Sequence, residues 1–512
     1  MSKRQAAFGN LAFSLGGLAI NIVGGLLFVP FYLRHIDDAT YGAWLASGGV
    51  VSMLGLFESG LATVFTQKLA VALSDRDHTR AAHLAGASIA AASLVGILVA
   101  GLGGLVAWFA PHSFGCPSEQ VTPLRIAVGL SAMGSGLMML AYTLGAIPQA
   151  LQRTVQPGII IIIAMASGLG SIWLGLELDV GVAALGFGPL CTGLMMLAGH
   201  GLNNQRLWHE FGLPRPTIDR GVQRELWREA RTLLLARVSG SVTSNLQAPA
   251  AALAVSAEAS TILGLTGRIV SLVPLFVDRI GTAVFAGVAR IGQQSDGERE
   301  AVLREILTIT TVLGGIGLGL ALGFTESMMA LWVGPQRFAG KVVLGLLLLS
   351  AFLTMRQGAY ANLLVALGAI RPAARWLAAD ALLRLSLLVI MTPLVGLSGI
   401  PGASVLAAAL VTVALARLLR GVSAIPLLEL WLMGGAGFSL SLATGLGWWL
   451  LVPAPVTWAG LTWQLVVCAS CMLSLVTLFD RPWRVALKHN VRAIQPAARS
   501  LAKWCGVSGL TQ

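Results

Sequence analysis

Fourteen long apolar runs, each closed off by charged or turn-forming residues, follow one another along this chain. They cover approximately 11–33, 42–66, 82–109, 124–147, 157–176, 181–202, 231–254, 259–289, 302–325, 342–368, 373–396, 399–419, 427–451 and 461–479. A helix needs about 20 apolar residues to cross the hydrocarbon of a bilayer, and these runs reach that length. A membrane β-barrel would instead show alternating segments of about 10 residues. The runs are rich in Leu, Ala and Gly and read as helices.

Composition enters as a check on that reading. Of the 512 residues, 56% are hydrophobic and 11% are charged, where a soluble domain carries about 25% charge. The mean hydropathy is +0.80. A water-soluble fold cannot cover so much apolar surface. A soluble enzyme, a nucleic-acid-binding domain and a disordered chain are therefore excluded. The net charge of +12 raises the question of which membrane face the basic residues occupy.

With a cytoplasmic N-terminus and alternating sides, 25 of the 34 basic residues fall on the cytoplasmic face. They include Lys68, Arg76 and Arg80, the series from Arg206 to Arg231, and the tail from Arg481 to Lys503. Four fall outside: Arg34, Arg125, Arg337 and Lys341. That asymmetry supports both the count and an orientation with both termini cytoplasmic. The 14 tryptophans, among them Trp44, Trp108, Trp173, Trp376, Trp448 and Trp483, lie near run ends or in loops, as interfacial belts do. The first run is too long for a signal-peptide core and reads as a retained helix.

The chain also repeats. A shift of 219 residues lays Val51–Phe57 on Val270–Phe276, Pro30 on Pro249, Thr63 on Thr282, and Asp77 and Arg80 on Asp296 and Arg299. Runs 1–6 then fall on runs 7–12. Six is even, so the halves have the same orientation, a parallel repeat of the transporter type. The expected fold is all-α and polytopic. It has about 14 transmembrane helices in two parallel six-helix lobes around a central cavity, plus two C-terminal helices. The expected division is 1–205 (N-terminal lobe), 206–230 (cytoplasmic linker), 231–420 (C-terminal lobe), 421–480 (helices 13 and 14) and 481–512 (basic tail). The segment Asp219–Glu229 has the pattern of an interfacial helix leading into run 7. The tail, opening at Pro482 with Trp483, Leu487, Val491 and Ile494 on one stripe, reads either as an amphipathic helix on an anionic leaflet or as a solvated basic tail.

Enzymatic motifs are absent. There is no P-loop, and the seven histidines show no metal-ligand spacing. Asp75-Arg76-Asp77 stands alone and reads as a turn. Cys116, Cys191, Cys468, Cys471 and Cys505 are scattered, with only Cys116 in an outer loop, so no disulfide framework is expected. Gly315 and Gly319 have the spacing that lets helices approach closely. No cofactor and no metal is expected.

The chemistry lies in charges inside the apolar runs. Each costs about 2.5–3.5 kcal/mol at the bilayer centre on insertion scales and so needs a partner or a wet cavity. Arg268, Arg356 and Arg237 have no nearby acid in sequence. A guanidinium in a wet cavity suits phosphate oxygens, so these three are candidates for an anionic headgroup. Asp380 and Arg384, four apart, have the spacing of a local ion pair. Asp278 and Arg279 sit near a helix end, and the repeat puts Glu58 at their depth. A Glu58–Arg279 bridge is a candidate gate at the inner mouth.

Asn10, Pro30-Phe31-Tyr32-Leu33, Tyr41-Gly42-Ala43-Trp44, Gly60-Leu61 and Leu367-Gly368-Ala369-Ile370-Arg371-Pro372 resemble segments of bacterial polysaccharide flippases. These belong to the multidrug/oligosaccharidyl-lipid/polysaccharide exporter superfamily. The resemblance, which includes the 6 + 6 + 2 layout, implies a non-enzymatic flippase in the bacterial cytoplasmic (inner) membrane. Its substrate would be an undecaprenyl-diphosphate-linked oligosaccharide for surface polysaccharide such as lipopolysaccharide. It would be carried between leaflets by alternating access. Implied partners are that glycan, membrane lipids, a glycan polymerase and glycosyltransferases, and no nucleic acid. Two alternatives stay open. Lipid II flippases carry arginines on spans 1 and 2, whereas here run 1 is uncharged and run 2 has Glu58. Multidrug members carry an acid on span 1 or 7, which is missing here.

Overall fold

The computed structural model describes residues 24–153, 155–288, 296–423 and 425–487. Of the stretches 56–60, 231–240, 242–244 and 279–288, and of residues 296, 298 and 299, it describes the backbone alone. Every regular element among these residues is helical. In chain order they are α1 (24–35), α2 (Asp38–Leu54), α3 (Leu56–Ser74), α4 (His78–Ser113), α5 (Val121–Ala150), α6 (Val155–Glu177), α7 (Ala184–Glu210), α8 (Arg220–Asn245) and α9 (Gln247–Ala254). There follow α10 (Ala257–Val288), α11 (Asp296–Trp332), α12 (Lys341–Ala366), α13 (Ile370–Val395), α14 (Gly399–Ser423), α15 (Leu427–Leu432), α16 (Gly435–Leu451), α17 (Trp458–Phe479) and α18 (481–487). The protein is a polytopic all-α membrane protein: ten stretches of the described chain are long and apolar enough to cross a bilayer. One of these, Ile370–Ser423, holds two of the expected runs, α13 and α14.

Three expected spans are less regular than their composition suggests. Run 2 is two helices, α2 and α3, meeting at Gly55, and α3 continues to Ser74. Run 7 is the end of α8, which starts at Arg220, followed by α9. The expected interfacial helix is therefore the first three turns of one longer helix, with the Asp219 carboxylate accepting from the Val222 N–H at 2.8 Å. Run 13 is the short α15 and the longer α16, parted at Gly434, whose φ is +69°. Gly55 and Pro274 share one position of the 219-residue repeat. The first breaks its helix and the second sits within α10.

The chain forms two compact units. Among the described residues, one comprises those up to Gly264 together with Leu377–Ala403, the other Leu265–Trp376 together with those from Ser404 onward. In the first, α5 packs along α7 and α4, and α6 lies on α7. Leu61, Phe65, Leu69, Leu84 and Leu226 form a core that ties α8 to α3 and α4. In the second, α11 packs along α16 and α17. A Cβ on Gly319 would stand 2.4 Å from the Ser441 carbonyl oxygen, and one on Gly315 would stand 2.7 Å from the Phe438 Cα. The glycine spacing seen in the sequence is thus the seam between α11 and α16. Asp480 fixes the end of α17 by serving two helix N-termini. Its carboxylate accepts from Gly437 N–H at 2.8 Å and from Trp483 N–H at 2.9 Å, a favourable place for an anion. Trp483, first of the expected lipid-facing stripe, is instead buried against Val312 and Val476. Val491 and Ile494 lie outside the described residues.

Candidate functional site

The charges buried in the apolar helices fall into distinct environments. Asp380 and Arg384, on successive turns of α13, are buried, with Nε donating to Oδ2 at 2.6 Å. The i, i+4 spacing on one helix brings them together, and each relieves the other's desolvation.

Arg356, on α12, is 3% exposed. Its guanidinium donates to the Thr311 hydroxyl at 2.7 Å, the Tyr360 hydroxyl at 2.7 Å, the Met433 carbonyl at 3.3 Å and the Leu430 carbonyl. Tyr360 also donates to Leu430 O at 3.0 Å. The Arg356 guanidinium carbon lies 5.2 Å from the Tyr360 ring centroid and 5.6 Å from that of Trp431. A broken helix leaves carbonyls without N–H partners. The α15–α16 break is one such place, and Arg356 reaches across from α12 to satisfy it. The planar fork of donors explains why an arginine stands there.

Arg268 is half-buried on α10, and among the described residues its guanidinium has no hydrogen-bond or ion-pair partner. Asp278 is exposed on the same helix. The side chains of Glu58, Arg279 and Arg237 lie outside the described residues, and with them the proposed gate.

At the end of the first unit that carries the α3–α4 turn, basic residues are tied to acids on other helices. Lys68 lies 2.6 Å from Glu225 and 2.9 Å from Glu229 of α8. The Lys68 ammonium, donating to Glu225, holds that carboxyl below the usual carboxylate range. Arg153 grips Glu210 with both terminal nitrogens, one at 2.8 Å. Asp77 caps α4 through Arg80 N–H at 2.8 Å, and Arg76 has φ +55°. Asp75-Arg76-Asp77 is therefore a turn and cap. Among the described residues no cluster of His, Cys, Asp and Glu could hold a metal ion.

Two features escape a reading of the sequence. His200 of α7 is buried, with neither ring nitrogen hydrogen-bonded among the described residues. In the second unit, the end of the bundle where α11 and α16 finish and α17 begins holds a cavity of about 340 Å³. Glu326, Trp448, Trp449 and Gln464 line it. Glu326 sits one residue past an apolar run and reads as a loop acid, and the tryptophans read as an interfacial belt. Only packing brings them around one space.

No protein-family model matches the chain, and no curated protein sequence matches it. Solved structures do match its fold. A lipid II flippase, MurJ, in an inward closed conformation, superposes with a TM-score of 0.69 at 11% identity. The match covers 92% of this chain and 98% of that one. An inward-facing multidrug resistance MATE family transporter of the MOP superfamily gives 0.62 at 13% identity, covering 80% and 96%. An outward-facing one gives 0.56 at 14%, covering 81% and 96%. The multidrug/oligosaccharidyl-lipid/polysaccharide fold expected from the sequence is the fold of this chain.

Proposed function

We propose, from a chain with the fold of the lipid-flippase and multidrug-transporter superfamily, that this protein is a flippase for a lipid-linked oligosaccharide. Its substrate is an undecaprenyl-diphosphate-linked glycan, carried from the inner to the outer leaflet of the bacterial cytoplasmic membrane by alternating access between two lobes. The observation that carries this reading is Arg268. It is a guanidinium within a membrane-length apolar helix, half-buried and without a polar partner among the described residues. An unpaired cation at that depth is costly, and a diphosphate would offset it. The cytoplasm is electrically negative, so outward movement of an anionic headgroup gains about 2.3 kcal/mol per charge per 100 mV. We assign phosphate contact to Arg268 and Arg237. Arg356 contacts phosphate only in a conformation that frees it from Leu430 and Met433. The Glu58–Arg279 bridge is the proposed inner gate.

Lipid II, whose headgroup is also a diphosphate-linked sugar, is the second reading, favoured by the 98% coverage of the solved lipid II flippase. The test is transport of a fluorescent polyprenyl-diphosphate glycan and of lipid II in proteoliposomes. Wild-type protein is expected to move the glycan faster than lipid II, and Arg268→Ala to lower that rate at least tenfold. A rate unchanged by Arg268→Ala removes the anion-cavity assignment. Faster movement of lipid II selects the second reading.

A further inference from the structure

Around the cavity at the end of α11 and α16, the Trp449 indole N–H donates to Glu326 Oε2 at 3.0 Å. The Trp448 N–H reaches Gln464 Oε1 at 3.4 Å, and the Gln464 amide donates to the Pro453 carbonyl at 3.2 Å. Lys341 Nζ stands 4.5 Å from the Trp449 ring centroid. These groups lie within one compact unit. A carboxylate offers about four acceptor sites, and among the described residues a single indole N–H uses one. Phe338 and Pro453 close the wall. The volume, about 340 Å³, is at the small end of the roughly 300–1,000 Å³ of small-ligand sites.

The charges select the ligand class. The Glu326 carboxylate disfavours an anion, and the ammonium of Lys341 over Trp449 disfavours a cation. Spare carboxylate acceptors call for hydroxyl donors, and the half-buried indole faces call for a flat apolar surface. A neutral pyranose combines both, with ring hydroxyls on its edge and C–H groups on its face. We infer that this cavity is a saccharide-binding site, with Trp448 and Trp449 as stacking platforms and Glu326 accepting from sugar hydroxyls. On the proposed orientation it opens on the outer side, where it would receive the sugar of a transported glycan. That last assignment rests on the flippase reading; the binding of free sugar does not.

The test uses the full-length protein in nanodiscs and saturation-transfer NMR. The probes are methyl β-glucopyranoside, methyl β-galactopyranoside and N-acetylglucosamine, with choline as a cationic control. At least one sugar is expected to receive saturation at its ring C–H protons. Its Kd is expected to rise at least tenfold in Trp448→Ala and in Glu326→Gln. Trp449→Phe, which keeps a ring and removes the N–H, supplies a milder variant, and unchanged melting temperatures show that each variant is folded. The inference is overturned if no sugar receives saturation, if binding survives all three substitutions, or if choline binds and is lost in Glu326→Gln. Glycan transport in proteoliposomes separates the two readings. Transport without sugar binding removes the cavity assignment alone, and sugar binding without transport removes the flippase reading alone.

Discussion

Arg356 and Arg268 look alike in the sequence, each an arginine inside an apolar run with no acid close by, yet their surroundings differ in kind. Arg356 is enclosed by two carbonyls and two hydroxyls, whereas Arg268 has no such partners among the described residues. Sequence spacing identifies partners one helical turn away, as it does for Asp380 and Arg384. It is blind to Leu430 and Met433, which lie more than 70 positions from Arg356. The same limit applies to Lys68. It reads as one more inner-face charge, while the fold gives it two glutamates from α8. Since Lys68 depresses the Glu225 pKa, this contact contributes stability above the ordinary glutamate pKa of about 4.3. That contribution is lost as pH falls through the depressed folded value. Hydrogen exchange at the start of α8 is therefore expected to lose protection as pH falls below about 4.3. Glu225→Gln should remove that pH dependence; a dependence retained in the variant would assign it to another group.

Among the elements, the helices with a plain apolar pattern, α4 to α7 and α11 to α14, fall where the runs put them. The departures are the breaks at Gly55, Leu246 and Gly434. A hydropathy pattern averages over a turn or more, so a break of one or two residues inside an apolar run leaves little trace. At Gly434 the left-handed backbone is needed, and a Cβ would stand 2.9 Å from the Thr308 carbonyl oxygen. Gly435, next to it, is open within 4 Å. Gly434→Ala is expected to destabilise by about 1–2 kcal/mol through the left-handed conformation alone. Gly435→Ala is expected to be near neutral. Thermal unfolding of the two variants checks this, and equal melting points would mean the break does not need the glycine.

For the whole molecule, the charge asymmetry makes a prediction about sides. Cys116 lies in the short connection between α4 and α5, expected outside. Burial, with the nearby Asp37 carboxylate, pushes its thiol up to about 11. In a variant keeping only this cysteine, a membrane-impermeant maleimide added to intact cells is expected to label it slowly, and faster as pH is raised past 8. Labelling only after permeabilisation would reverse the orientation. The sequence by itself determined the all-helical, multi-pass membrane class and the place of most of the helices. Helix formation in lipid follows from run length and backbone hydrogen bonding within each segment. Only the tertiary structure decided where helices break, which arginine is held by internal partners, and that Glu326, Trp448, Trp449 and Gln464 share a cavity. Those outcomes depend on groups 15 to more than 100 residues apart that meet through side-chain packing, which in lipid is set by close fit and hydrogen bonds between helices.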